Sequence, residues 1–107
     1  MDLKQYEIRS NSDSGYGRCA VMLIPKNKSD HGIVIEFKTT QKKEGLDKTC
    51  DRALKQIYEK EYIARLKTSD VLLDNIYVYG FAFKGQRVQI KGGAYNKIDW
   101  TKVAQKK

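Results

Sequence analysis

Cysteine is scarce in this chain. The two present, Cys19 and Cys50, are spaced for neither a zinc site nor a disulfide framework. Each reads as a small core hydrophobe, and so low a count suits a reducing cytoplasm. Proline occurs once and histidine once, as His31 in a polar turn that reads as surface. With 40% hydrophobic residues and a single proline, disorder is excluded in favour of a folded, soluble domain. Long apolar runs are also missing. The longest, Cys19 to Pro25 and Ile76 to Phe83, are far short of a membrane span, and no apolar signal core lies near Met1. No stretch has the Trp-rich amphipathic character of an interfacial helix, which removes the membrane surface as a partner. The expectation is a cytoplasmic domain, 1–107, with one core.

Acidic residues are outnumbered: 13 Asp and Glu stand against 21 Lys and Arg, a formal net charge of +8. That excess favours a polyanionic partner, with nucleic acid ahead of an acidic protein.

The stretch 32–38, Gly-Ile-Val-Ile-Glu-Phe-Lys, organises the rest. Ile33, Val34 and Ile35 are β-branched and apolar, as a central strand packed on both faces demands. Glu36 and Lys38 follow at i and i+2, so a strand puts an acid and an amine side by side on one face. A charged pair ending an apolar strand costs desolvation energy unless metal, substrate or neighbouring groups compensate. The pair therefore reads as chemistry, with a solvated strand end as the alternative.

Residues 1–5 read as a frayed start. Tyr6 to Arg9 alternate like a half-exposed strand, and Ser10 to Gly17 form a turn-rich loop. A strand over 18–24 and the polar connector 25–32 predict an antiparallel hairpin with strand 33–38. After a polar, basic link at 39–45, helical spacing predicts one helix over 46–66. Its stripe is Leu46, Cys50, Ala53, Leu54, Ile57 and Tyr58, extended by Ile63 and Leu66, with Asp51 and Arg52 away from it. A second buried strand at 76–83, a tight turn at Gly85 and an edge strand at 87–91 follow, broken by Gly92-Gly93. A short basic helix closes the chain over 98–107. Strand 76–83, reached through the helix, is best placed parallel to strand 33–38. The predicted fold is α/β (mixed α+β): a central mixed sheet with one main helix packed on it and a short C-terminal helix.

On that scaffold the sequence resembles the PD-(D/E)XK nuclease superfamily, and more closely its small bacterial nuclease-like domains found behind ATPase-like regions. The segments that carry the resemblance are Ser14-Gly15-Tyr16-Gly17-Arg18, Met22-Leu23-Ile24-Pro25, Ile33 to Lys38, and Ala53-Leu54-Lys55-Gln56-Ile57 with Tyr62. The strand ending Tyr79-Gly80-Phe81-Ala82-Phe83 fits as well. The resemblance implies a restriction-endonuclease-like core and a Mg²⁺-dependent (or Mn²⁺-dependent) endonuclease acting on DNA. It makes Glu36 a metal ligand, with the backbone carbonyl of Phe37 assisting and Asp13 as a further candidate. Lys38 would orient or help deprotonate the attacking water and offset charge on the phosphate. Gln56 would touch the site or the substrate, or else be a boundary residue between core and surface on a mostly apolar helix.

Arg18 has two open readings, a phosphate contact or a pair with Asp13 that fixes the loop. Tyr16 and Tyr62 are candidate nucleic-acid contacts that compete with packing. Lys42 and Lys43 are candidates for tracking a phosphate backbone, against the alternative of a solvated face.

One position departs from the family pattern. Ala20 stands where the resemblance requires an aspartate, and alanine offers neither an oxygen ligand nor a charge. The metal is therefore expected to be weakly bound or absent and cleavage severely impaired. With the rest of the pattern intact, an introduced Asp→Ala change accounts for this better than natural decay. Two rivals remain: a degenerate nuclease fold that binds nucleic acid or protein without cutting, and a structural domain whose sheet edge pairs two chains. A homodimer would suit cutting of both strands, and association with an ATPase-like domain follows from the resemblance.

Overall fold

A computed structural model of the chain describes residues 3–13, 18–27, 29–59, 62–68 and 71–105, at 3, 11–13, 18, 73, 104 and 105 by backbone alone. Runs of β-branched and aromatic residues at period two form five strands: β1 (Tyr6–Asp13), β2 (Arg18–Pro25), β3 (Gly32–Thr39), β4 (Ile76–Lys84) and β5 (Arg87–Ala94). They make one sheet in the order β1-β2-β3-β4-β5. The first three form an antiparallel meander, β3 and β4 are parallel, and β5 returns antiparallel to β4. Between β3 and β4 run α1 (Leu46–Glu59) and α2 (Tyr62–Thr68); α3 (Trp100–Gln105) follows β5. This is the mixed sheet with a main helix and a short C-terminal helix that the element order predicts, the layout of a restriction-endonuclease-like core.

One face of the sheet holds the core. Met22, Val34 and Val78 meet Leu54 and Ile57 of α1 and Leu66 of α2 there. The helix lies close because β4 carries Gly80 at the crossing. A Cβ at Gly80 would stand 2.7 Å from the Cys50 carbonyl oxygen and 2.9 Å from the Ala53 Cβ. The remaining helix, α3, is held by Trp100, which stacks on Tyr58 at 5.0 Å and donates its indole N–H to the Tyr95 carbonyl.

The structure corrects six expectations. The predicted 46–66 helix is two helices. Its buried apolar residues fall at 50, 53, 54 and 57 and then at 63 and 66, out of phase with one apolar stripe, so a single straight helix cannot bury both sets. Tyr58 leaves the stripe for its stack on Trp100 and is half exposed. Asp51, expected away from the stripe, is buried because the Lys91 ammonium on β5 compensates it. The first strand continues through 10–13, where β2 supplies ladder partners as far as Asp13↔Arg18, so only 14–17 of the expected loop lies outside the described residues. Likewise β5 runs through Gly92 and Gly93, which both adopt φ of 150°, and Gly92 lets the strand pass within a side chain's width of Val78 and Tyr79.

The sixth correction concerns the central strands. Although β3 and β4 read as buried on both faces, burial alternates along both, and Ile33, Ile35 and Phe37 are only half-buried. Among the described residues, the helical layer lies against one face only, through α1 with β3, β4 and β5.

Candidate active site

The β2–β3 hairpin sets Ala20 opposite Glu36 and Arg18 opposite Lys38. Directly opposed residues share a face, with Cβ atoms about 5 Å apart. That face is the helix-covered one: Ala20 is 4% exposed, Glu36 2% and Lys38 7%. On the other side of β3, Gly80 and Ala82 of β4 stand beside Glu36 and Lys38. Glu36 thus has small residues, Ala20 and Gly80, on both neighbouring strands, whereas Lys38 stands between Arg18 and Ala82.

The first helix divides its polar residues between two flanks. Toward β3 it presents Thr49, whose hydroxyl lies 3.0 Å from that of Thr40, and Arg52, whose Nη2 reaches the Thr39 carbonyl at 3.4 Å. Gln56, half-buried, is four residues beyond Arg52 and three beyond Ala53, on this same flank. Toward β5 lie Cys50, whose Sγ is 3.2 Å from the Gln89 carbonyl, and Asp47 and Asp51, which share the Lys91 ammonium at 2.5 and 3.4 Å. Burial depresses the Lys91 pKa, but the two carboxylates outweigh it and hold the amine above its ordinary value. For the Cys50 thiol, desolvation dominates and pushes the pKa up.

Of the other expected site residues, Phe37 turns its ring to the opposite face, 5.1 Å from Phe81, while its backbone runs in the ladder between β2 and β4. Asp13 occupies the row of Arg18 and Lys38, next to that of Ala20 and Glu36; the side chains of Asp13 and Arg18 lie outside the described atoms. Tyr16 lies outside the described residues. Lys42 and Lys43 are exposed in the link after β3, Lys43 with a left-handed φ of 67°. Tyr62 is half-buried against the core.

A cluster beside the site was not foreseen. Glu44, 8% exposed, receives Arg52 Nε at 2.5 Å and Nη2 at 2.8 Å, the Thr49 hydroxyl at 2.7 Å and the Gln41 amide at 3.1 Å. The Arg52 hydrogen bond above all, against the opposing effect of burial, lowers the Glu44 pKa to about 2. Together these bonds pin the link that carries Lys42 and Lys43 to α1 and to the end of β3. Neither the i, i+8 spacing of Glu44 and Arg52 nor the 40-residue separation of Asp51 and Lys91 leaves a signal in sequence.

Mg²⁺ prefers several hard oxygen ligands. Among the described residues no three His, Cys, Asp or Glu side chains come together to hold a metal ion, and the position facing Glu36 offers a methyl group. The described donor set does not fit a tight Mg²⁺ site.

Comparison with curated proteins and with solved structures found no match. A family model for the PD-(D/E)XK nuclease superfamily matches residues 2–92. That span takes in β1 to β4, most of β5, the Glu36–Lys38 strand end and the helix bearing Gln56: the chain belongs to the PD-(D/E)XK nuclease superfamily, and its function is of the nuclease type.

Proposed function

We propose that this is a metal-dependent DNA endonuclease domain disarmed at Ala20. The observation that supports this most is the register: a buried alanine faces a buried glutamate across one hairpin, beside a buried lysine. In a competent form an aspartate at position 20, the Glu36 carboxylate and the Phe37 carbonyl would hold Mg²⁺ or Mn²⁺. The ion would supply an activated water and neutralise charge on the phosphodiester. Lys38 orients or deprotonates the water and offsets the phosphate charge, and Gln56 contacts the site from α1. Asp13 is a further candidate ligand. Arg18, Tyr16, Lys42, Lys43 and Tyr62 are the proposed DNA contacts, in keeping with the net charge of +8. This chain, without the second acid, does not cleave appreciably. The reading extends to a cytoplasmic setting, a single domain, a homodimer, and association with an ATPase-like domain.

The test is restoration. Ala20→Asp should yield Mg²⁺- or Mn²⁺-dependent cleavage of DNA that a further Glu36→Ala or Lys38→Ala abolishes. A restored protein that binds DNA but never cuts, across both metals, overturns the enzyme reading.

The methyl group at position 20 also favours a second reading, a module that grips DNA without cutting. It predicts binding at low ionic strength that weakens with salt as counterions are released. No binding at low salt would remove it.

A further inference from the structure

The face of the sheet turned away from the helices lacks charge. The register assigns it the even residues of β1 and β5 and the odd residues of β2, β3 and β4, twenty positions at four per strand. None is Asp, Glu, Lys or Arg, in a chain that is 32% charged. An ordinary solvated face of an antiparallel sheet alternates to polar residues. Here the centre is aromatic: Phe37 packs on Phe81 at 5.1 Å and on Phe83 at 6.1 Å, and Tyr77 on His31 at 5.0 Å. The rim is apolar and open, with Ile8, Val88 and Ile90 each about half exposed.

Five strands about 4.8 Å apart and about 26 Å long span about 600 Å², at the upper end of the largest apolar patch on ordinary monomers. Two such faces in contact bury about 1,200 Å² before side-chain relief is counted, which clears what a stable interface needs. A nucleic acid is the wrong occupant, because no cation on this face meets its phosphates. A second copy fits: the face is self-complementary in chemistry, it carries rigid aromatic anchors at its centre, and it opposes no like charges despite the net charge of each chain.

We propose that two copies of this chain pair back to back through this sheet face. The result is a sandwich about 10 Å thick at its core, with the α1 layers outside. The face replaces the sheet edge as the expected contact. It also sets the geometry of the pair: Glu36 and Lys38 lie on the opposite, helix-covered side, so the two pockets look outward and do not close on one duplex. The inference stands apart from the nuclease reading, because no side chain of the pocket takes part: Phe37 offers the pocket only its backbone carbonyl and turns its ring to this face.

Sedimentation of the intact chain at micromolar concentrations should give twice the 12.3 kDa mass. Ile90→Lys and Phe83→Lys should weaken the dimer about a hundredfold, since each buries a charge in an apolar contact, while far-UV circular dichroism keeps the fold signature. Hydroxyl-radical footprinting of the unmodified chain provides a readout independent of any variant. Tyr77, Tyr79 and Phe81 should gain protection as concentration rises. Three results would overturn the proposal: a monomer throughout, a dimer indifferent to both lysines, or a dimer broken by Ser10→Pro at the β1 edge but not by Ile90→Lys.

Discussion

The Arg52 guanidinium closes on both carboxylate oxygens of Glu44, Nε on one at 2.5 Å and Nη2 on the other at 2.8 Å. Such a two-point grip adds direction to attraction. It ties the link after β3 to the helix whose flank borders Glu36 and Lys38. Removing one partner of a largely buried pair leaves the other charged and desolvated. Arg52→Ala should therefore destabilise the fold by about 2–3 kcal/mol in urea denaturation. It should also open the link to trypsin at Lys42 and Lys43.

The same pair sets an acid limit. In the unfolded chain the Glu44 carboxyl takes up its proton near 4.5, whereas in the folded chain it stays ionised down to about 2. Between those values the unfolded state binds more protons, so stability rises with pH across the window. The contribution is fully present above 4.5 and lost as pH falls through about 2. Glu44→Gln should flatten this part of the stability curve; an unchanged acid limb in thermal melts from pH 5 to 2 would refute the assignment.

Close helix approach makes Gly80 intolerant. A methyl group there meets backbone at 2.7 Å, and the carbonyl of a helix residue cannot retreat without moving the helix. Gly80→Ala should cost about 1–3 kcal/mol, read from the denaturation midpoint.

Restoring an acid at position 20 should change stability as well as activity. Ala20→Asp places a second carboxylate opposite buried Glu36, and like charges across one strand pair repel. The metal-free variant should melt below the parent at neutral pH. Added Mg²⁺ should raise its melting temperature, by about 2.7 kcal/mol of stabilisation at a hundredfold excess over Kd. The parent should show no such gain, and equal shifts in both would place the ion elsewhere.

Cys50 is fully buried, and burial raises its thiol pKa, so little reactive thiolate forms. Iodoacetamide followed by mass spectrometry should label Cys50 only once the protein unfolds.

Much of the sheet is legible in the sequence, because its signals are local. The β2–β3 hairpin follows from two apolar runs about a polar connector, and the parallel placement of β4 follows from an intervening helix. Glu36 and Lys38 announce themselves by ending an apolar strand. What escapes is settled at long range. Asp51 looks like a surface carboxylate until Lys91, 40 residues later, comes to rest above it. The helix break before Tyr62 shows only as a shift in the phase of Ile63 and Leu66 against the stripe that ends at Ile57. Both faces of β3 are apolar in sequence, but nothing in that pattern distinguishes a face covered by the chain's own helices from one that is left half-exposed.

The parallel contact between β3 and β4 has a kinetic consequence. The other strand pairs are joined by short connections, whereas Gly32 must find Ile76 across the whole helical segment. Loop closure of that length is slow relative to hairpin formation. The hairpin that aligns position 20 with Glu36 can therefore zip early, while the wall bearing Gln56 arrives only when the chain commits to its final, rate-limiting closure.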